Sequence, residues 1–159
     1  DEGHTDDIAG VSIHVNAFYD LAKEALAAGP NEISPFQDGS YYASDETFSS
    51  SGWKGYVSLL VNNGNIESVY WSGVDKDGRD KKQVAAEGGY GMIAHSEIGK
   101  GWHELAAAVE AYLLSTQDPT QISYKDDGGH TDDIAGATMS VSNFYALVEQ
   151  ALAAGPKQY

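Results

Sequence analysis

The group that invites chemistry is the hydroxyl of Thr138, in the run Asp132-Asp133-Ile134-Ala135-Gly136-Ala137-Thr138-Met139-Ser140. Gly136-Ala137 reads as a flexible turn that delivers this hydroxyl to the start of a helix. Val141, Phe144, Tyr145, Val148 and Leu152 follow at the spacing of an apolar helical stripe. Ser140 or Ser142 is expected to cap the first amides, and Gly155-Pro156 to end the helix. A helix N-terminus offers unpaired N–H groups and the positive end of a dipole, a setting that suits a phosphate. Spacing alone also allows Thr138 to be a helix-terminal residue whose hydroxyl only caps or turns. The chain shows no nucleophile–base pair of its own.

Other chemistries are narrowed by composition. With 24 acidic and 9 basic residues the net charge is −15. Such a surface repels nucleic acid and anionic lipid. There is no Cys, which excludes disulfides, thiolate chemistry and iron–sulfur ligation. No metal site is expected. His130 with Asp132 is one imidazole and a mobile carboxylate. Asp75 to Asp80 begins like a calcium loop, but Arg79 stands where a third oxygen ligand is required. No basic, apolar leader opens the chain and no apolar run approaches membrane-spanning length.

The elements that must position Thr138 are read from patterns. Ser40 to Ala43 is expected as a short strand. Trp53 to Val61 and Ile66 to Gly73 flank Asn63-Gly64, the strongest short hairpin signal. That loop sets Val61 opposite Ile66, Leu59 opposite Ser68 and Val57 opposite Tyr70, with Trp53, Val57, Leu59 and Val61 on the core face. Gln83 to Glu87 can be helical before Gly88, Gly89 and Gly91, where backbone could approach a flat ligand. Trp102, Leu105, Ala106, Val109, Tyr112 and Leu113 mark a confident helix that ends before Asp118-Pro119. Ile122-Ser123-Tyr124 is a further short strand. Sheet followed by helices predicts an α+β fold, an antiparallel sheet with a hairpin packed by two or more helices.

A repeat organises the chain. Residues 3–30 and 129–156 align without gaps and match at roughly two-thirds of positions. Nothing between them recurs. Residues 1–30 therefore read as the closing motif and helix of a preceding repeat, 31–35 as a linker, and 36–159 as the complete domain. The first copy, over 4–28, has its own stripe of Val15, Phe18, Tyr19, Ala22 and Leu26, and carries Ser12 where the second has Thr138. Exchange of such a helix between protomers is a route to a domain-swapped dimer.

Asp133 to Thr138, in the form D-x-x-G-A-T, resembles the flavinylation motif of the FMN-binding domain family. Asp38-Gly39-Ser40-Tyr41, Gly52-Trp53-Lys54, Asn63-Gly64, Lys81, Tyr90-Gly91-Met92 and Gln117-Asp118-Pro119 extend the resemblance, in order, to the flavinylated domains of Gram-positive extracellular electron-transfer lipoproteins. Two departures stand out: Ala135 replaces the family's preferred Ser or Thr, and the first copy reads Gly10-Val11-Ser12. The resemblance implies an FMN-binding-domain-like fold and covalent FMN, joined by a phosphoester to Thr138 by a separate flavin transferase. Asp133, Gly136 and Ala137 would shape the acceptor, Tyr90 and Met92 would line the isoalloxazine, and Ser12 would be a second acceptor. It further implies an electron carrier rather than an enzyme, placed in the cell envelope or outside the cell and anchored to the membrane in the full-length protein. Its partners would be an upstream membrane dehydrogenase or quinol-linked donor and extracellular electron acceptors. The rival expectation is a cell-surface carbohydrate or wall-polymer binding module without redox role, using Tyr41, Tyr42, Tyr56 and Trp71.

Overall fold

The computed structural model describes residues 16–28, 36–92 and 99–158. They belong to two compact units that divide between Ile33 and Ser34. In the first, α1 spans Asn16–Ala28, and Phe18, Tyr19 and Leu21 on it are exposed. Ser12, the linker at 31–35 and residues 4–15 of the expected helix lie outside the described residues.

The second unit is α+β, as its patterning predicts. Strands β1 (Gly39–Ser44), β2 (Lys54–Asn62) and β3 (Asn65–Val74) form an antiparallel sheet in the order β1-β2-β3. Asn63 and Gly64 both take positive φ, 51° and 73°. That backbone matches the twist of a two-residue hairpin. The Gly64 N–H donates to Asp38 Oδ1 at 2.8 Å, which ties the hairpin tip to the start of β1.

The hairpin corrects the expected register. Val61 faces Ile66, but Leu60 then faces Ser68, so Glu67 is an extra residue on β3. This bulge reverses the parity of the rest of the strand. Leu59 therefore faces Val69 and Val57 faces Trp71. Trp71 turns into the core at 5% exposure, while Tyr70 points outward.

Helices α2 (Lys81–Ala86), α3 (Trp102–Thr116) and α4 (Ser142–Ala154) complete the unit. α4 lies on β1 and β2, and α3 runs along β3. Val141, Phe144, Tyr145, Leu147, Val148 and Ala151 are buried, as are Leu105, Ala106, Val109 and Leu113 of α3. The Phe144 ring sits 5.1 Å from that of Trp71. Burying each such large apolar side chain contributes about 1.5–3 kcal/mol.

Two expectations about the connections fail. Neither Ser140 nor Ser142 caps α4: Val141 is the N-cap with no side-chain hydrogen bond, and the two serine hydroxyls lie 3.2 Å from each other. Ile122 to Tyr124 forms no strand, because both sheet edges are already taken. On β3, Gln117 exchanges hydrogen bonds with the Ile66 backbone and Glu110 accepts from the Trp71 N–H. On β1, the Lys157 N–H donates to the Ser40 carbonyl. Covering the edges in this way removes a template for strand addition.

Candidate functional site

Near one end of the sheet, Gly55 and Gly73 face each other across β2 and β3. A Cβ on Gly55 would come within 2.7 Å of Asp45 Oδ2 and 2.8 Å of Asn143 Oδ1, and one on Gly73 within 3.2 Å of the Lys54 carbonyl. The glycine pair thus leaves a floor without side chains. A cleft of about 260 Å³ opens there, lined by Trp53, Trp71, Trp102, Lys81, Asp45 and Asn143. Asp45 braces it: one carboxylate oxygen accepts from the Gly55 N–H at 2.8 Å, the other from Asn143 Nδ2 at 2.9 Å. The brace fixes the first turn of α4 against the start of β2.

Lys81 opens α2, whose N-cap Asp80 accepts from the Gln83 N–H. Its Nζ lies 4.2 Å from the Trp102 ring centroid, 4.8 Å from Tyr90 and 6.0 Å from Trp53. Burial pulls the pKa of the ammonium down to about 8. The ring faces act in the opposite sense, each favouring the cation by about 0.5–2 kcal/mol. A glycine floor without side chains, indole walls and one desolvated cation thus bound a narrow slot. Its volume lies just below the roughly 300–1,000 Å³ that encloses a drug-sized ligand. It therefore fits one ring system better than a whole nucleotide.

Asp133, Gly136, Ala137 and Thr138 share one loop ahead of α4. Thr138 is exposed. Its N–H donates to the Gly136 carbonyl at 3.0 Å, and among the described residues its hydroxyl has no partner. Thr131 differs: it is buried, and its hydroxyl donates to the Ser123 carbonyl. Asp133 Oδ2 accepts from the Ser123 N–H at 2.7 Å while the Asp133 N–H donates to the Thr131 hydroxyl. Asp133 and Thr131 therefore staple the motif to the segment before it. Ala137 is buried. The Ala137 N–H donates to the Ile134 carbonyl, which closes a turn with Gly136 at φ 81°.

The loop is tied to the cleft through α4. Asn143, which lines the cleft, follows Thr138 by five residues, a span of at most about 18 Å. Tyr90 stands at the cleft through Lys81 and Trp53, and burial raises its phenol pKa. Met92 instead packs against the hydrophobic core. Sequence reasoning missed Lys81 as a cleft residue, together with Trp102, Asp45 and Asn143. It also sought a close backbone approach at Gly88, Gly89 and Gly91: a Cβ at Gly88 or Gly91 would meet open space, and one at Gly89 would come within 3.1 Å of the Val84 side chain. The available signal was glycine at one core-parity strand position, Gly55, and the bulge at Glu67 brings Gly73 opposite it.

Neither metal reading gathers ligands. Asp75 Oδ1 accepts from the Asp77 and Arg79 N–H groups and Oδ2 from Arg79 Nε. His130 pairs with Asp126, and Asp132 with Lys125. Among the described residues no cluster of three such side chains could hold a metal.

The aromatic set of the carbohydrate reading is split, because Tyr41 and Trp71 are core residues. Tyr42, Tyr56 and Tyr70 form the outward row, with neighbouring rings 6.0 and 6.1 Å apart. Both the Tyr56 and Tyr70 hydroxyls donate to Asp80, and Lys157 and Lys82 lie over the end rings. Tyr42 and Tyr70 remain 44% and 39% exposed, and a cleft of about 750 Å³ opens beside them, lined also by Leu60, Ser68 and Lys157.

The turn at Gly136 yields a prediction. A β-branched residue at φ 81° is strained, so Gly136→Val should distort the acceptor loop. Ala135→Ser should be tolerated, since Ala135 is exposed. On the flavinylation that the motif's resemblance implies, co-expression with a flavin transferase should leave the Gly136→Val variant with less flavin, read as absorbance per mole, than the Ala135→Ser variant. Equal loading would show that this turn does not shape the acceptor.

No family model matches the chain. The 15 kDa lipoprotein of Treponema pallidum (strain Nichols) is 30% identical over 125 residues, covering 77% of this chain and 79% of the lipoprotein. A solution NMR structure from Clostridium thermocellum is similar at 46% identity and a TM-score of 0.61, over 78% of this chain and 95% of that one. A crystal structure of a Clostridium perfringens protein, at 24% identity and a TM-score of 0.59 over 76% and 88%, shares the fold. Among the described residues no helix is long and apolar enough to cross a membrane. On the strength of its identity and coverage, the chain belongs to the family of the Treponema pallidum 15 kDa lipoprotein.

Proposed function

We propose that this chain is an electron-carrier domain of the cell envelope that holds FMN covalently, through a phosphoester on Thr138. The observation that carries the reading is an exposed Thr138 hydroxyl that has no partner among the described residues, just before a helix whose first amides none of their side chains caps. Those amides could receive a phosphate, and the flavin ring could reach the Lys81 cleft. The resemblance of Asp133 to Thr138 to the flavinylation motif adds the chemistry. A lipoprotein relative supports an envelope location.

Loading would proceed by attack of Thr138 Oγ1 on the FMN phosphorus of FAD. The Oγ1–P bond forms, the phosphoanhydride breaks, AMP leaves, and the hydroxyl proton passes to a base on the transferase. When bound, FMN supplies the redox chemistry. The chain's own residues attach it, orient it and set its charge environment. Gly55 and Gly73 would admit a flat ring, Trp53 and Trp102 would wall it, and Lys81 would place a cation beside it. That cation works against the acidic surface, which by itself would hold the potential low. The first test is colour: protein co-expressed with the transferase should be yellow and stay yellow through denaturation and gel filtration. Flavin that washes away, or none despite an active transferase, would contradict the reading.

A further inference from the structure

We infer that α1 is a second closing helix, built to occupy the α4 seat on another copy of this fold. The repeat and the burial of its second member together define this seat. In α4, Phe144, Tyr145, Leu147 and Ala151 are buried, and the helix lies on β1 and β2. The matching positions in α1 are identical: Phe18, Tyr19, Leu21 and Ala25. Of the six exposed α4 positions, Ala153 and Ala154 are kept as Ala27 and Ala28, and the other four vary. Asn143, Ala146, Glu149 and Gln150 become Ala17, Asp20, Lys23 and Glu24. Among these buried positions, Val148 alone is changed, to the smaller Ala22.

The repeat thus keeps four of the five positions that α4 buries and changes four of its six exposed ones. Yet Phe18 is 68% and Leu21 66% exposed, against 0% for Phe144 and 3% for Leu147. A helix with this face is amphipathic toward one particular surface. That surface is the core face of β1 and β2, with Trp71 to receive the phenylalanine. The described residues contain one such sheet, and α4 fills it. The partner that fits α1 is accordingly another unit of the same fold, and exchange of a repeated element is a low-cost way to join copies.

The test keeps the full chain and weakens α4's hold on its seat. Phe18→Ala alone should leave the folded-to-unfolded ratio within about threefold of wild type, as for an exposed side chain. In a Phe144→Ala background, α1 of a second copy competes for the loosened seat. There, Phe18→Ala should lower the folded ratio by a further tenfold or more, and the non-additivity should grow with protein concentration. Light scattering on the Phe144→Ala protein should show dimer that the double variant lacks. If Phe144→Ala does not fold, Phe144→Leu serves as the milder background. Additive effects at every concentration would overturn the proposal, as would coupling that is independent of concentration.

Discussion

Replacing Glu110 by alanine should destabilise the protein by about 3–5 kcal/mol, a large part of the stability of a domain this size. Glu110 is 8% exposed and serves two partners. Its Oε1 accepts from the Trp71 N–H at 2.6 Å, and both carboxylate oxygens accept from Lys82 Nζ, at 2.6 and 2.7 Å. Truncation would leave a nearly buried ammonium without its counterion and an edge amide of β3 without an acceptor. Both losses fall on groups that water reaches poorly, since the Lys82 side chain is only 17% exposed. Glu110→Gln keeps an acceptor for Trp71 and should lose less. Urea unfolding should show the midpoint falling for both variants, further for alanine. A change below about 1 kcal/mol for Glu110→Ala, the range of an exposed ion pair, would mean that the edge closure is ornamental.

Thr138→Ala should abolish covalent flavin while leaving the fold intact. The hydroxyl is chemically necessary for a phosphoester, yet it makes no hydrogen bond among the described residues and is exposed. The helix behind it is held by Phe144, Tyr145, Leu147 and Val148, which are buried. The thermal midpoint should therefore stay within a degree or two, corresponding to about 0.5 kcal/mol or less. Thr138→Ser retains the nucleophilic oxygen and should load in part. A collapse of thermal stability in Thr138→Ala would favour the plain reading of Thr138 as a helix-terminal residue.

How far the structure could be read in advance depended on the range of the interactions. Asn63-Gly64 identified the hairpin because a two-residue loop with two positive φ angles is a local demand. The stripes of α3 and α4 were legible for the same reason: a helix shows its buried face every three or four residues. The bulge at Glu67 was not, because one extra residue leaves the alternation looking regular while it reverses the face. Tyr70 and Trp71 exchanged sides on that account. The edge closures by Glu110 and Gln117 join residues far apart in the chain, and no local pattern announces them. They also explain why Ile122 to Tyr124, strand-like in composition, found no edge to join. The loop ahead of α4 was legible as a turn at Gly136-Ala137. The cleft was not, since it is assembled from the β1–β2 loop, two strands, two helix starts and the first turn of α4.

The central claim is the bond between Thr138 and FMN, and peptide mapping tests it most directly. Protein co-expressed with a flavin transferase should gain, by intact mass, one FMN less one water in its complete domain. Digestion should place that mass on the peptide containing Thr138, with fragment ions assigning it to that residue. An unmodified chain in the presence of active transferase, or FMN on Thr131 in place of Thr138, would contradict the account.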